Sequence, residues 1–195
     1  MALVYATWDS ANTSPGATLS GGDLVFTSGG AVWYTARSTI SKSSGKWYWE
    51  YTCTSGPNYL LGIGTASAPT SNGSIVGVSG GAVSWGYNGG GSKFHNGGAT
   101  AYGAGFNAGD VIGVALDKDA DTITFYKNGV SQGIAFNSGL TADMFAMASV
   151  NNAVLTANFG ATAFSYTPPA GFNAGLYSGS VSAPAENALA FGGGM

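Results

Sequence analysis

The sequence predicts an all-β protein, and three features of its composition lead to this prediction. Glycine accounts for 33 of the 195 residues and charged residues for only 8%, whereas about a quarter of the residues in ordinary globular domains are charged. Hydrophobic residues make up 45% of the chain and the net charge is only -3, unlike the low hydrophobicity and high charge of disordered segments. Aromatic residues, at 13%, favour strands, and residues that favour helices are scarce.

The clearest strand is predicted at residues 46–54, which read KWYWEYTCT between two turn-forming segments. Side chains alternate between the two faces of a strand. The face predicted to lie in the core carries Trp47, Trp49, Tyr51 and Cys53. The opposite face carries Lys46, Tyr48, Glu50 and Thr52.

Apolar runs separated by turn residues predict the remaining strands. They lie at 59–64, 75–78, 82–87, 93–97, 110–117, 122–127, 130–136, 144–150 and 153–159. Asn128-Gly129 predicts a tight hairpin, because both residues tolerate the positive φ of a type I′ turn. Asn151-Asn152 predicts a second hairpin. The spacing of roughly ten residues between turns is typical of a β-sandwich.

The chain is expected to form one domain with an appendage. Residues 1–172 carry the strand signals and form the predicted sandwich. From residue 173 onward the sequence is rich in glycine, serine and alanine and poor in aromatic residues. Such a composition is typical of linkers, so residues 173–195 are predicted to be a flexible or docking C-terminal arm.

Several segments together resemble the SPRY domain family. The central match reads GDVIGVALD at 109–117, ITFYKNG at 123–129 and GIAF at 133–136, and follows GKWYWEY at 45–51. Further matches in the family's order are LGIG at 61–64, WGY at 85–87, KFHNG at 93–97, NFG at 158–160 and PPAGF at 168–172. The resemblance covers residues 5–172, nearly everything except the arm.

This resemblance implies a SPRY-like, concanavalin-like sandwich of two bent antiparallel sheets that binds other proteins through loops at one edge, without catalysis. The loops that this sequence offers lie near Trp33-Tyr34, at 56–59, at 66–74 and at 88–92. Their candidate partner-binding residues are Trp33, Tyr34, Asn58, Tyr59 and Asn88.

Composition also limits the chemistry. The six basic residues are scattered, so no nucleic-acid-binding patch is predicted. A single cysteine excludes an internal disulfide and a zinc site built from several thiolates. No signal peptide and no apolar run long enough for a membrane span are visible. No cofactor, metal or catalytic residue is predicted.

A G-x-S-x-G motif at 77–81 resembles the nucleophile elbow of hydrolases. That elbow needs a helix after the serine, and here glycines follow it. The only histidine, His95, comes with no acidic residue between it and Ser79. The motif is therefore interpreted as a turn.

Asp117, Asp119 and Asp121 resemble the start of a calcium-binding loop. Thr122 stands where that loop needs glycine, and Asn128 stands where it needs a bidentate glutamate. We predict a turn closed by aspartate side chains, with a weak cation site as the alternative.

The predicted function is a non-catalytic protein–protein binding module. The low charge and the Gly/Ala/Ser-rich composition resemble accessory structural proteins of tailed bacteriophages. The expected setting is therefore the virion surface, in a decoration, fibre or tail component that binds other subunits or further copies of itself. The alternative is a lectin-like carbohydrate-binding module for host-surface attachment, in which exposed aromatic rings stack on a surface glycan.

Overall fold

The computed structural model describes residues 2–179, and this part of the chain contains strands and no helix. In chain order the strands are β1 (Val4–Tyr5), β2 (Trp8–Thr13), β3 (Thr18–Ser20), β4 (Val25–Thr27), β5 (Tyr34–Lys42), β6 (Lys46–Ser55), β7 (Asn58–Gly64), β8 (Ser84–Asn88), β9 (Ser92–His95), β10 (Gly98–Ala101), β11 (Val111–Asp117), β12 (Thr122–Lys127), β13 (Val130–Phe136), β14 (Met144–Asn151), β15 (Val154–Asn158), β16 (Asn173–Ala174) and β17 (Tyr177–Ser178).

Two large antiparallel sheets face each other. One has the order β10-β9-β8-β7-β14-β5-β2, and the other has the order β13-β12-β11-β6-β15-β4-β3. The short strand β16 adds to β6 in parallel, and β1 pairs with β17 in a separate ribbon. The predicted all-β sandwich of two antiparallel sheets is confirmed.

The core between the sheets is aromatic. Trp49, Tyr51 and Cys53 are fully buried, as the alternation along β6 predicts. Trp47 from the same predicted face is only half-buried, at the end of the strand. The Tyr51 ring stacks on that of Trp8 with centroids 5.7 Å apart, which ties β6 to the facing sheet. Burial, together with the nearby Asp110 charge, raises the pKa of the Cys53 thiol to about 12.

The second face of β6 is also buried at two positions. Tyr48 and Glu50 are 1% and 2% exposed, although alternation places them on the solvent side. Residues 161–172, here called the strap, cross this outer face. The Phe164 ring packs edge-on against Tyr48 at 5.2 Å. The Glu50 carboxylate accepts hydrogen bonds from the backbone N–H groups of Ser165 and Tyr166 at 2.8 and 2.9 Å.

The apolar run at 75–78 is not a strand. Residues 65–83 form a long connection across the outer face of the first sheet. Val76 is buried there with Leu60 and Met147 in a second, smaller core, and its N–H donates to the Ser149 hydroxyl at 3.0 Å. The prediction of a strand at 75–78 is therefore wrong, because these side chains pack onto a sheet without joining it.

One of the two predicted hairpins is confirmed. Asn128 and Gly129 have φ values of 48° and 78° between β12 and β13, as a type I′ turn requires. Asn152, with φ 49°, turns the chain between β14 and β15, but these two strands lie in different sheets and do not pair with each other. The prediction of a hairpin at Asn151-Asn152 is therefore wrong, because this turn carries the chain from one sheet to the other. The patterns discussed above predict no strand before residue 46, whereas the structure has five there. Several of them are short or carry many polar residues, so their periodicity is weak.

The first residues of the predicted arm lie on the sandwich. Leu176 is fully buried, and its N–H donates to Phe159 O at 2.8 Å. Tyr177 pairs with Tyr5 across the small ribbon. These two apolar side chains bring residues 173–178 back onto the sheets. Residues 180–195 of the predicted arm lie outside the described residues.

Candidate functional site

Three of the four predicted loops meet at one end of the sandwich. Strand pairing aligns Tyr34 with Val150, and Asn58 with Asn151. It also aligns Asn88 with Leu60, which lies two residues after Asn58 in β7. The beginnings of β5 and β7 and the end of β8 therefore share one end. The fourth loop, 66–74, reaches the same end through the Gly73 N–H, which donates to Trp33 O at 2.8 Å.

We call this region the loop end. It comprises residues 28–33, 56–58, 71–74, 88–91, 103–107 and 151–153. Hydrogen bonds connect neighbouring segments into one surface. The Asn151 amide donates to Ala31 O at 3.2 Å, and the Phe106 N–H donates to Gly89 O at 2.8 Å.

Gly56 shows how closely these segments approach one another. Its φ is +92°, and an added Cβ would lie 2.1 Å from Asn152 O. An L-residue disfavours this φ, and no side chain fits the space. Glycine at position 56 therefore holds the β6–β7 turn directly against the β14–β15 turn.

Two of the candidate binding residues are buried. Tyr34 is 8% exposed and Tyr59 is 1% exposed. The Tyr59 hydroxyl donates to Ser55 O, and its ring packs on Phe106 with centroids 6.4 Å apart. Burial raises the pKa of Tyr59 to about 12. Both rings support the loops from below and offer no contact to a partner. This corrects their assignment as accessible anchors.

The other three candidates reach the surface to different degrees. Asn58 is exposed, whereas Trp33 is half-buried against the small outer core. Asn88 is also half-buried, and its Oδ1 accepts the Ser92 N–H at 2.9 Å, which closes the turn. Val32 was not among the candidates, yet it is 49% exposed. The sequence signal for it is a branched aliphatic residue between the Gly29-Gly30-Ala31 segment and Trp33.

The loop end is uncharged, since none of its residues is Asp, Glu, Lys or Arg. Asp110 and Lys127 border it through hydrogen bonds with Asn107 N–H and Gly105 O, and they pair with each other at 3.3 Å. Partial burial raises the pKa of Asp110, but hydrogen bonds from the Asn107 N–H, the Asn128 amide and Lys127 lower it further than burial raises it. The carboxyl pKa therefore lies below its ordinary value.

A shallow pocket of about 330 Å³ opens in the loop end, between the β4–β5 loop and the β14–β15 turn. Small residues form most of its wall. Its lining includes Ser28, Gly29, Gly30, Ser55, Asn152 and Val154. Such a pocket has room for a small side chain and allows close approach to backbone groups.

The comparison with protein families decides what kind of domain this is. The SPRY domain model matches residues 46–162, which is more than half of the chain. This chain belongs to the SPRY domain family. SPRY domains are generally non-catalytic binding modules.

Curated relatives carry this SPRY domain within much longer proteins. The ATP-dependent RNA helicase DDX1 of Xenopus laevis is 34% identical over 143 residues, covering 72% of this chain and 18% of that protein. Ddx1 of Drosophila melanogaster is 34% identical over 144 residues, covering 72% of this chain and 19% of that protein. The E3 ubiquitin-protein ligase RKP of Arabidopsis thaliana is 35% identical over 106 residues, covering 54% of this chain and 8% of that protein. The chain thus spans less than a fifth of the length of these eukaryotic relatives.

A solved structure agrees with the fold. The SPRY domain of human HERC1 superposes with a TM-score of 0.67 at 19% identity, covering 77% of this chain and 96% of that chain. Within residues 2–179, no helix is long and apolar enough to cross a membrane.

The acidic turn at 117–121 of this SPRY domain uses its carboxylates internally. Asp117 pairs with Lys46 at 2.9 Å and accepts the Ala120 N–H at 2.9 Å. Asp119 accepts the Gly45 N–H, and Asp121 accepts the Leu140 N–H, both at 2.8 Å. In the part of the chain that the structure describes, no group of three or more His, Cys, Asp or Glu side chains is placed to hold a metal ion.

Asp117 is expected to make the SPRY domain sensitive to acid. Partial burial raises its pKa, but Lys46 and the N–H groups of Ala120 and Asp119 lower it more. A carboxyl with a lowered folded-state pKa stabilises the fold above its unfolded pKa of about 4, and this contribution is lost as the pH falls through the folded-state pKa. Urea unfolding at a series of pH values should show stability falling below about pH 4.

The matching variant is Asp117→Asn, which should be less stable at neutral pH and show a shallower loss in acid. Asp143→Asn, at an exposed aspartate, is the control and should follow the wild-type curve. Parallel pH profiles for wild type and Asp117→Asn would contradict the assignment.

The nucleophile-elbow motif also serves the fold. The Ser79 hydroxyl accepts the Ile75 N–H at 3.0 Å, and Ser79 lies in a turn with no helix after it. The His95 Nδ1 lies 3.0 Å from Ser84 O, and its ring stacks on Trp85 with centroids 4.5 Å apart. Both side chains have structural partners, as the interpretation of the motif as a turn expects.

Proposed function

We propose that this SPRY domain is a non-catalytic module that binds another protein through its loop end. The observation that carries the proposal is the convergence of six loop segments from both sheets on one continuous, exposed surface. Buried residues beneath, such as Tyr59 and Phe106, hold these segments in place. A surface fixed in this way loses little conformational entropy on binding.

The absence of catalysis is supported by the same geometry. General acid–base or nucleophilic catalysis needs a titratable side chain within hydrogen-bond reach of its partner. The loop end contributes no His, Cys, Asp, Glu, Lys or Arg. Ser79 and His95 make their hydrogen bonds to the backbone.

The carbohydrate alternative loses support from the burial of the aromatic rings. Stacking on a sugar needs an exposed aromatic face, and Tyr34 and Tyr59 are buried. A role as a structural part of a phage virion, with other subunits or further copies of itself as partners, stays a prediction from composition, and the relatives described above are eukaryotic.

A matched pair of surface variants tests the loop end. Val32 and Ile134 are 49% and 59% exposed, but only Val32 belongs to the loop end. The binding partner would first be identified by cross-linking and mass spectrometry from an extract of the source cells, and then purified. Val32→Asp is expected to weaken its binding about tenfold or more, as loss of an apolar anchor does. Ile134→Asp is expected to leave binding and the Tm unchanged.

Equal weakening by Val32→Asp and Ile134→Asp would contradict the assignment to the loop end. A glycan array probed with the same proteins tests the alternative. Glycan binding that Val32→Asp abolishes, without any protein partner, would replace the proposal with a carbohydrate-binding function.

A further inference from the structure

The charges of this SPRY domain are distributed very unevenly. Six charged side chains cluster at the end opposite the loop end, around the β5–β6 and β11–β12 turns. They are Lys42, Lys46, Asp117, Lys118, Asp119 and Asp121. The two turns are joined there by the Lys118 N–H, which donates to Gly45 O at 3.0 Å. The loop end has no charge, and its bordering pair, Asp110 and Lys127, is neutral as a unit.

Side-chain amides take the place of charges at the loop end. Asn58, Asn72 and Asn152 are exposed, and within residues 2–179 their amide groups make no hydrogen bond. Each amide offers two N–H donors and one carbonyl acceptor. These are the groups that pair with the N–H and C=O groups of an extended peptide backbone. Asn151 and Asn88 differ, since their amides hold neighbouring loops.

The pocket at Asn152 adds a place for a side chain. Gly29 and Gly30 form part of its wall and carry no side chain of their own. Val154 contributes an apolar contact. The pocket has no charged residue in its lining, so a charged side chain of a partner would lose hydration there without gaining a counter-charge. Desolvation of an unpaired charge is strongly unfavourable.

We propose that the loop end recognises an uncharged, extended peptide segment of its protein partner. The asparagine amides bind the backbone of this segment, and a small uncharged side chain enters the pocket. This inference rests on the proposed function and specifies the chemical class of the partner. Because no charge pair forms across the interface, the affinity does not depend on ionic strength.

The test uses a random peptide display library panned on the immobilised full chain. The enriched peptides are expected to be depleted in Asp, Glu, Lys and Arg relative to the unselected library. The tightest of them is then synthesised, and its Kd is measured at low and high salt. The Kd should change by less than about twofold, since only charged contacts are strongly screened.

Two asparagine variants localise the binding. Asn152→Asp adds a charge beside the pocket and is expected to weaken the peptide about tenfold. Asn96→Asp is the matched control, because Asn96 is also exposed in a turn with positive φ (51°, against 49° for Asn152), but lies between β9 and β10 at the opposite end. It should bind the peptide as the wild type does.

The outcomes separate this inference from the function on which it rests. Enriched peptides that are charged, or a Kd that rises steeply with salt, overturn the uncharged class and leave protein binding intact. If neither Val32→Asp nor Asn152→Asp weakens binding, the loop end is not the binding site, and the proposed function is overturned with this inference. If the library yields no specific peptide, the inference that the loop end recognises an extended peptide segment is overturned. The cross-linking experiment still decides whether the domain binds a protein.

Discussion

Replacing Glu50 with alanine is expected to lower the free energy of unfolding by about 4 kcal/mol, because it removes a buried carboxylate that accepts three hydrogen bonds, one buried and two partly buried. The carboxylate accepts the Ser165 and Tyr166 N–H groups at 2.8 and 2.9 Å, and the Tyr48 hydroxyl at 3.0 Å. Burial, then the Glu50 charge and hydrogen bond, raises the pKa of Tyr48. Tyr48 therefore remains a donor at neutral pH.

The strap should respond more strongly than the rest of the molecule. Residues 161–172 form no strand. They are held by Glu50, by the Asn158 amide, which donates to Ala163 O at 2.9 Å, and by ring contacts such as that between Tyr48 and Phe164. In Glu50→Ala we expect faster hydrogen exchange and protease cleavage within the strap before global unfolding. Urea unfolding with limited proteolysis measures both effects.

Two controls accompany Glu50→Ala. Glu50→Gln keeps one carbonyl acceptor and should recover part of the stability. Thr52→Ala lies on the same face of β6, is partly exposed and should change stability by less than about 0.5 kcal/mol. A loss below about 1 kcal/mol in Glu50→Ala would show that the strap does not depend on this carboxylate.

Replacing Gly62 with alanine is expected to cost about 3 kcal/mol, at the upper end for overpacked sites. Gly62 lies in the middle of β7 and pairs with Gly86 of β8. An added Cβ would lie 1.9 Å from Trp85 O and 2.9 Å from the Gly86 α-carbon. Both are backbone atoms of a paired strand, so they cannot move away as a flexible side chain would.

The matched control is Gly98→Ala, at a glycine in the edge strand β10. Its nearest neighbour to an added Cβ is His95 O at 3.4 Å, an ordinary contact. This variant should unfold within about 0.5 kcal/mol of the wild type. Thermal and urea unfolding measure the stability of both variants against that of the wild type. Equal stability of the two would mean that β7 and β8 can separate locally without cost.

The candidate site could be predicted only in part. The loops were recognisable from turn residues, and strand pairing brings them together at one end. The burial of Tyr59 also had a sequence signal, because Tyr59, Leu61 and Ile63 alternate along β7 and all three are buried. Asn152 was visible as a turn residue, but its free amide beside a pocket depends on Gly29 and Gly30, which are more than a hundred residues away in the chain.

The sequence by itself determined the all-β class, the core face of β6, the hairpin at 128–129 and the position of the turn at 151–152. These features depend on alternation and on turn residues, which act between near neighbours. Only the tertiary structure decided that 75–78 covers a sheet, that Glu50 is buried under the strap and that residues 173–178 return to the sandwich. Each of these depends on contacts between segments far apart in the chain, and a local pattern carries no information about them. Composition shows that the chain carries few charges. The tertiary structure shows where they lie, because it places an uncharged loop end at one end of the sandwich and a cluster of charged side chains at the other.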